Sequence, residues 1–137
     1  GVVVVNDAYN ANPDSMSAAL RSLASMSTTG RRWAVLGAML ELGEASAELH
    51  AAVGREAAEL GTDEILVVGE VAEPIAAGAR DNAREDGPHV RVVPDADAAE
   101  AVLAAELAAP DVVLLKSSRD AGLRWLGDRI IQREARS

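Results

Sequence analysis

Five short apolar runs, each followed by a stretch of helical periodicity, constrain this chain more than anything else in it. The runs are Val2–Asn6, Trp33–Gly37, Ile65–Gly69, Val90–Val93 and Val112–Lys116. Their Val, Ile and Leu are nearly continuous rather than alternating, the pattern of parallel strands covered on both faces. Met16, Ala19, Leu20, Leu23 and Ala24 give the first helical stripe. Leu49, Ala52, Val53, Ala57 and Leu60 give the second, with Ser46 as its expected N-cap. A weaker, Ala-rich third runs from Val71 to Arg84, where Pro74 is tolerable only in the first turn. Asp95 reads as the N-cap of the fourth, with Ala98, Val102 and Leu107 inward. Leu123, Leu126, Ile130 and Ile131 mark the fifth, which is expected to fray over 133–137. Strict alternation predicts an α/β fold: a doubly wound, mostly parallel five-stranded sheet with helices on both faces and right-handed crossovers. No internal repeat or linker interrupts it, so 1–137 reads as a single domain, with 81–89 a polar surface loop. The chain opens on Gly1 and directly in a strand, which reads as a piece of a longer polypeptide.

Composition limits the partners such a sheet can take. A formal net charge of −9 repels phosphate backbones and anionic lipid headgroups, arguing against general nucleic-acid or membrane-surface binding. Aromatic residues are 2% of the chain and Phe is absent, so no stacking platform for single-stranded nucleic acid is available. No apolar run approaches the roughly 20 residues of a membrane span, and no secretory signal is visible. The absence of cysteine excludes disulfides and thiolate metal sites and fits a reducing compartment.

In an open α/β sheet, ligands bind beyond the carboxyl ends of the strands. Three of those ends are unusual. After the first comes Asp7-Ala8-Tyr9-Asn10-Ala11-Asn12-Pro13, with a carboxylate acceptor, two amides and the only tyrosine. Asn12 as N-cap and Pro13 at the first helical position account for part of it structurally, leaving Asp7, Tyr9 and Asn10 to be explained. After the second comes Gly37-Ala38-Met39-Leu40-Glu41-Leu42-Gly43. After the fifth comes Lys116-Ser117-Ser118-Arg119, holding the only lysine against twelve arginines. That group suits a carboxylate or phosphate; the alternative is a strand-end lysine snorkelling to solvent with Ser118 capping the next helix. A phosphate-binding Gly-x-x-x-x-Gly-Lys-Ser/Thr loop, a Gly-x-Gly-x-x-Gly turn and a Gly-x-Ser-x-Gly elbow are all missing from the sequence. His50, on the second helix, and His89, in a loop, are far apart; His50 reads as a helix-face residue rather than a metal ligand. Catalysis by this chain alone is not expected.

Taken in order, Asp7 through Met16, Trp33 through Gly43, Ser46, His50, Val53-Gly54 and Leu115 through Arg119 resemble the C-terminal domain of the Mur ligase family. The resemblance runs nearly end to end. Tyr9-Asn10-Ala11-Asn12-Pro13 matches the branch that adds D-Ala-D-Ala. The resemblance implies a three-domain cytoplasmic ligase of peptidoglycan synthesis. Its first domain holds a UDP-N-acetylmuramoyl-tripeptide; its central domain carries the P-loop, the Mg sites and a carboxylated lysine, and both would lie outside this chain. ATP phosphorylates the substrate carboxylate, and the amine of D-Ala-D-Ala attacks the acyl phosphate. By the same resemblance, Asp7 is expected at the ATP ribose, and Tyr9, Asn10 and Asn12 near the nucleotide phosphates and incoming dipeptide. Lys116, Ser117, Ser118 and Arg119 match the Lys-Gly-Ser-Arg segment at the dipeptide end. Two positions depart from the pattern: Ala38 stands where the family has an acidic residue, and Ser117 where it has glycine.

Two other classes share the architecture. A phospho-receiver module needs an acceptor aspartate after strand three, where this chain has Gly69-Glu70. A ligand-binding domain that kept the fold and lost the reaction has Ala38 as its support.

Overall fold

The computed structural model describes residues 1–8, 11–81, 85, 87–118 and 123–136. The five apolar runs form strands β1 (Val3–Asp7), β2 (Arg32–Leu36), β3 (Glu64–Val68), β4 (His89–Val93) and β5 (Val112–Lys116). Between and after them lie α1 (Pro13–Ser25), α2 (Ser46–Glu59), α3 (Glu73–Asp81), α4 (Ala96–Glu106) and α5 (Leu123–Arg136). Each strand begins within one residue of its expected start. All four strand pairings are parallel, and the order across the sheet is β1-β5-β2-β3-β4.

The last strand is therefore inserted between the first two. This order differs from the 2-1-3-4-5 of receiver-type sheets, which removes that reading. It also makes β1 and β4 edge strands, each only partly covered along its length, with Val3 exposed. A run of valines at Val2 to Val5 thus does not mark a strand buried on both faces, as the sequence suggested. Only β2, β3 and β5 meet that description.

Strand side chains alternate between two cores. Ala34, Leu36, Ile65, Val67, Val112 and Leu114 point to the face covered by α1, α2 and α3, where Met16, Leu20, Leu23, Val53 and Ile75 meet them. Trp33, Val35, Leu66, Val113 and Leu115 point to the face covered by α4 and α5, against Leu103, Leu123, Leu126 and Ile130. With Phe absent, close packing falls to small residues. Gly54 on α2 and Gly78 on α3 bring the two helix backbones together. A Cβ at Gly54 would lie 1.9 Å from the Ile75 carbonyl oxygen, and one at Gly78 1.9 Å from that of Ala51.

Helix starts and stripes follow the sequence only in part. Asn12 and Asp95 are N-caps as expected: their side chains accept from the Ser15 and Ala98 N–H groups at 2.9 and 2.8 Å. Ser46 is not. A 3₁₀ turn over Gly43–Ala45 runs into α2, so the cap position falls to Ala45, without a side-chain cap. In α2 the buried stripe is His50, Val53, Gly54 and Ala57, with Ala52 exposed. In α4 it is Ala96, Ala99 and Leu103 rather than Ala98, Val102 and Leu107, which are half-buried. Six alanines in that helix leave little contrast from which to read a face. Ile131 is exposed, and α5 stays helical to Arg136 instead of fraying from 133. Pro74 does sit in the first turn of α3, and His89, expected in a loop, is the first residue of β4.

The amino end of the sheet is closed by a polar network. Trp33 is fully buried and its indole N–H donates to Asp111 Oδ2 at 3.0 Å. The guanidinium carbons of Arg31 and Arg91 lie 4.8 and 5.7 Å from the centre of its ring. Glu64 accepts from Arg91 and meets His89 Nδ1, both at 3.1 Å. Burial pushes the Asp111 carboxyl up. The Arg31 N–H, the Trp33 indole and the Ala108 N–H, together with the Arg31 charge, outweigh that and hold it below its usual value. The Arg91 hydrogen bond likewise holds Glu106 down.

Candidate functional site

Because β5 lies between β1 and β2, the chain leaves these three neighbouring strands in opposite directions. After β1 and β2 it runs toward α1 and α2 on one face; after β5 it runs toward α5 on the other. Such divergence opens a crevice at the carboxyl ends, the place where open α/β sheets bind ligands. Asp7, Gly37 and Lys116, which open the three segments singled out in the sequence, stand at these ends.

The register pairs Asp7 directly with Lys116, and Lys116 with Leu36 on the other side. Asp7 and Lys116 continue the series Val5 and Val112, Leu114, so both side chains belong to the α1–α3 face. Lys116 Nζ donates to Asp7 Oδ2 at 2.7 Å. The lysine side chain is 2% exposed and the aspartate 48%. The lysine therefore does not snorkel to solvent, and the open end of the pair is the carboxylate.

Beyond the strand ends, the loops after β2 and β5 stay zipped together. The Gly37 N–H donates to the Lys116 carbonyl at 3.0 Å, and the Ser118 N–H to the Ala38 carbonyl at 2.8 Å. The Ser118 hydroxyl accepts from the Leu40 N–H at 2.9 Å, so this serine holds the facing loop. Ser117 is fully buried, and its hydroxyl donates to the Ser118 carbonyl. Among the described residues, Glu41 is the one non-glycine with a positive φ, at 63°; Ser117 is thus outside the left-handed region and suits its position as well as glycine would.

His50 completes the loop's support and was not legible as such in the sequence. It is fully buried, and its Nε2 accepts from the Met39 N–H at 3.0 Å. That leaves Nδ1 to carry the proton, which it donates to the Ser46 carbonyl at 2.7 Å. The loop tip is therefore held at consecutive residues, Met39 by α2 and Leu40 by the segment after β5. The next residue, Glu41, takes the strained left-handed conformation, and Leu40 remains exposed. The spacing Ser46 to His50, one helical turn, was the available signal.

Of the other expected site residues, Asn12 sits at the start of α1 with its side-chain oxygen engaged as the cap. Tyr9, Asn10 and Arg119 lie outside the described residues. An open groove of about 700 Å³ lies beyond β3, between the starts of α2 and α3, lined by Glu44, Glu70 and Glu73 among others. Its carboxylates disfavour phosphate. No three His, Cys, Asp or Glu side chains among the described residues come together as a metal would require. No helix of the described residues is long and apolar enough to cross a membrane.

Comparison with known proteins agrees with this architecture. Residues 1–119 match the family described as "Mur ligase, glutamate ligase domain". A UDP-N-acetylmuramoyl-tripeptide–D-alanyl-D-alanine ligase of Mycobacterium tuberculosis is 42% identical over 96% of this chain and 29% of its own length. Among solved structures, the MurF ligase of Thermotoga maritima in complex with ADP matches with a TM-score of 0.74 at 28% identity, covering 97% of this chain and 30% of that one. A MurF structure from Acinetobacter baumannii matches with a TM-score of 0.76 at 29% identity, covering 91% and 27%. The chain thus spans under a third of the length of these relatives.

Proposed function

Starting from the fact that this chain belongs to the Mur ligase family, we propose that it serves as the C-terminal domain of a cytoplasmic, ATP-dependent ligase. The ligase joins D-Ala-D-Ala to a UDP-N-acetylmuramoyl-tripeptide in peptidoglycan synthesis. The observation that carries this reading is 42% identity, across 96% of the chain, to a ligase so named. The geometry supports it, since the crevice offers an exposed carboxylate and a rigid, strained loop beside it.

In this proposal Asp7 accepts from the ribose hydroxyls of ATP, and Tyr9, Asn10 and Asn12 contribute the rest of the nucleotide contact. The segment Lys116, Ser117, Ser118 and Arg119 forms the dipeptide end. The P-loop and the magnesium ligands belong to the central domain of the longer chain, and the UDP-N-acetylmuramoyl-tripeptide site to its first domain, as the resemblance implies. ATP activates the tripeptide carboxylate as an acyl phosphate, and the dipeptide amine displaces phosphate to form the amide. This domain contributes orientation: a small shift of the amine from the acyl carbon costs far more rate than its distance suggests. The test is the longer reading frame carrying this domain, purified and given ATP, UDP-N-acetylmuramoyl-tripeptide and D-Ala-D-Ala. One ADP per amide bond is the expected result; ADP release indifferent to the dipeptide would overturn the reading.

A further inference from the structure

We infer that Lys116 is a positioning residue that acts through Asp7, fixing the carboxylate that meets the nucleotide, and does not itself contact the dipeptide. The inference rests on the ligase reading above and refines it at one residue. The side chain of Lys116 is 2% exposed while that of Asp7 is 48% exposed, and Nζ stands 2.7 Å from Oδ2. A ligand arriving from solvent therefore meets the carboxylate, with the ammonium behind it. Pairing in parallel register fixes the two residues on the same sheet face, 109 positions apart in sequence.

The chemistry of the pair follows from that asymmetry. A carboxylate at the end of an edge strand would otherwise rotate freely and exchange its hydrogen bonds with water. An ammonium seated on Oδ2 fixes the carboxylate plane and leaves Oδ1 to accept from a ligand hydroxyl. The carboxylate in turn offsets part of the cost of burying the lysine's charge. Lys116 also carries the backbone carbonyl that receives the Gly37 N–H. One residue thus ties the carboxylate on β1 to the loop after β2, and the nucleotide end of the crevice to its dipeptide end.

The experiment is a double-mutant cycle in the full-length ligase, using Lys116→Met, Asp7→Asn and the double variant, with KM measured separately for ATP and D-Ala-D-Ala. Each single variant is expected to raise KM for ATP roughly 10- to 100-fold, the loss of about one charge-assisted hydrogen bond. KM for D-Ala-D-Ala stays within about two-fold, and the double variant is no worse than the worse single one. A rise in dipeptide KM on Lys116→Met, multiplying with the Asp7→Asn effect on ATP, would overturn the inference and make Lys116 a direct dipeptide contact. If Lys116→Met alone does not fold, the double variant removes both charges together and is compared with Asp7→Asn. Equal dipeptide KM in those two upholds the inference, and a raised value in the double variant defeats it. A wild-type enzyme that forms no amide bond would instead defeat the ligase reading, whatever the variants do.

Discussion

Met39 has a backbone N–H buried beneath the carboxyl end of the sheet, and the imidazole of His50 is the group that accepts from it. Replacing His50 with Leu keeps the volume and removes the acceptor, leaving that N–H unsatisfied, while the Ser46 carbonyl keeps its partner within α2. The expected cost is about 1–3 kcal/mol, measurable by urea unfolding; a change near zero would mean that the loop re-forms its hydrogen bonds elsewhere. At the opposite end of the sheet, Asp111 supplies a pH dependence. Its carboxyl is held below the usual value in the folded state by the Arg31 and Ala108 N–H groups and the Trp33 indole, against the pull of burial. A depressed folded-state pKa gives stability that is fully present above the ordinary aspartate pKa, near 4, and is lost as pH falls through the folded value. Asp111→Asn should therefore be much less stable than wild type at pH 7. The gap should narrow as the pH drops below about 4, read from unfolding curves at both pH values. A gap independent of pH would assign the role of Asp111 to shape rather than charge.

Helix against helix, α2 and α3 meet at a close glycine contact. An alanine at Gly54 gains about 1 kcal/mol in helix propensity, but its methyl carbon would fall 1.9 Å from a carbonyl oxygen of α3. Backbone cannot yield as a flexible side chain does, so the helices must separate. Gly54→Ala is expected to destabilise by about 1–3 kcal/mol net; thermal unfolding reports it, and a stabilised variant would show that the contact relaxes freely. At this scale the sequence was legible where a local rule decides the outcome. Asn12 and Asp95 announce caps, Pro74 announces a first turn, and each apolar run becomes a strand. It was not legible where the outcome depends on what arrives from afar. Nothing in Val2 to Val5 says that β1 is an edge. The alanines of α4 do not say which of them faces Trp33 and Leu66, and Ser46 lost its cap to a preceding 3₁₀ turn. The candidate site divides the same way. Asp7 and Lys116 were visible as unusual residues at strand ends, but their contact follows from the insertion of β5 between β1 and β2, and the support from His50 follows from the packing of α2.

Taken whole, the molecule is a sheet with three buried strands and two partly covered ones. Amide hydrogen exchange should rank accordingly, with β2, β3 and β5 slowest and β1 and β4 faster by at least an order of magnitude; uniform protection would contradict the edge assignment. The isolated chain should fold yet neither hydrolyse ATP nor form amide bonds, because the proposed crevice supplies orientation without a P-loop. Turnover by the purified 137-residue protein at enzyme-like rates would overturn that division of labour. The strand order also has a meaning in time. β1 is made early and β5 late, yet within the sheet β1 pairs only with β5. At ribosomal speeds of about 5–20 residues per second, Asp7 waits roughly 5–20 s for Lys116 to be synthesised. Throughout that wait Val2 to Val5 form an unpaired apolar segment on a nascent chain, while β2, β3 and β4 can pair with one another as they emerge. The residues nearest the proposed chemistry are thus among the last to find their places, and the crevice is assembled only when the domain is nearly complete.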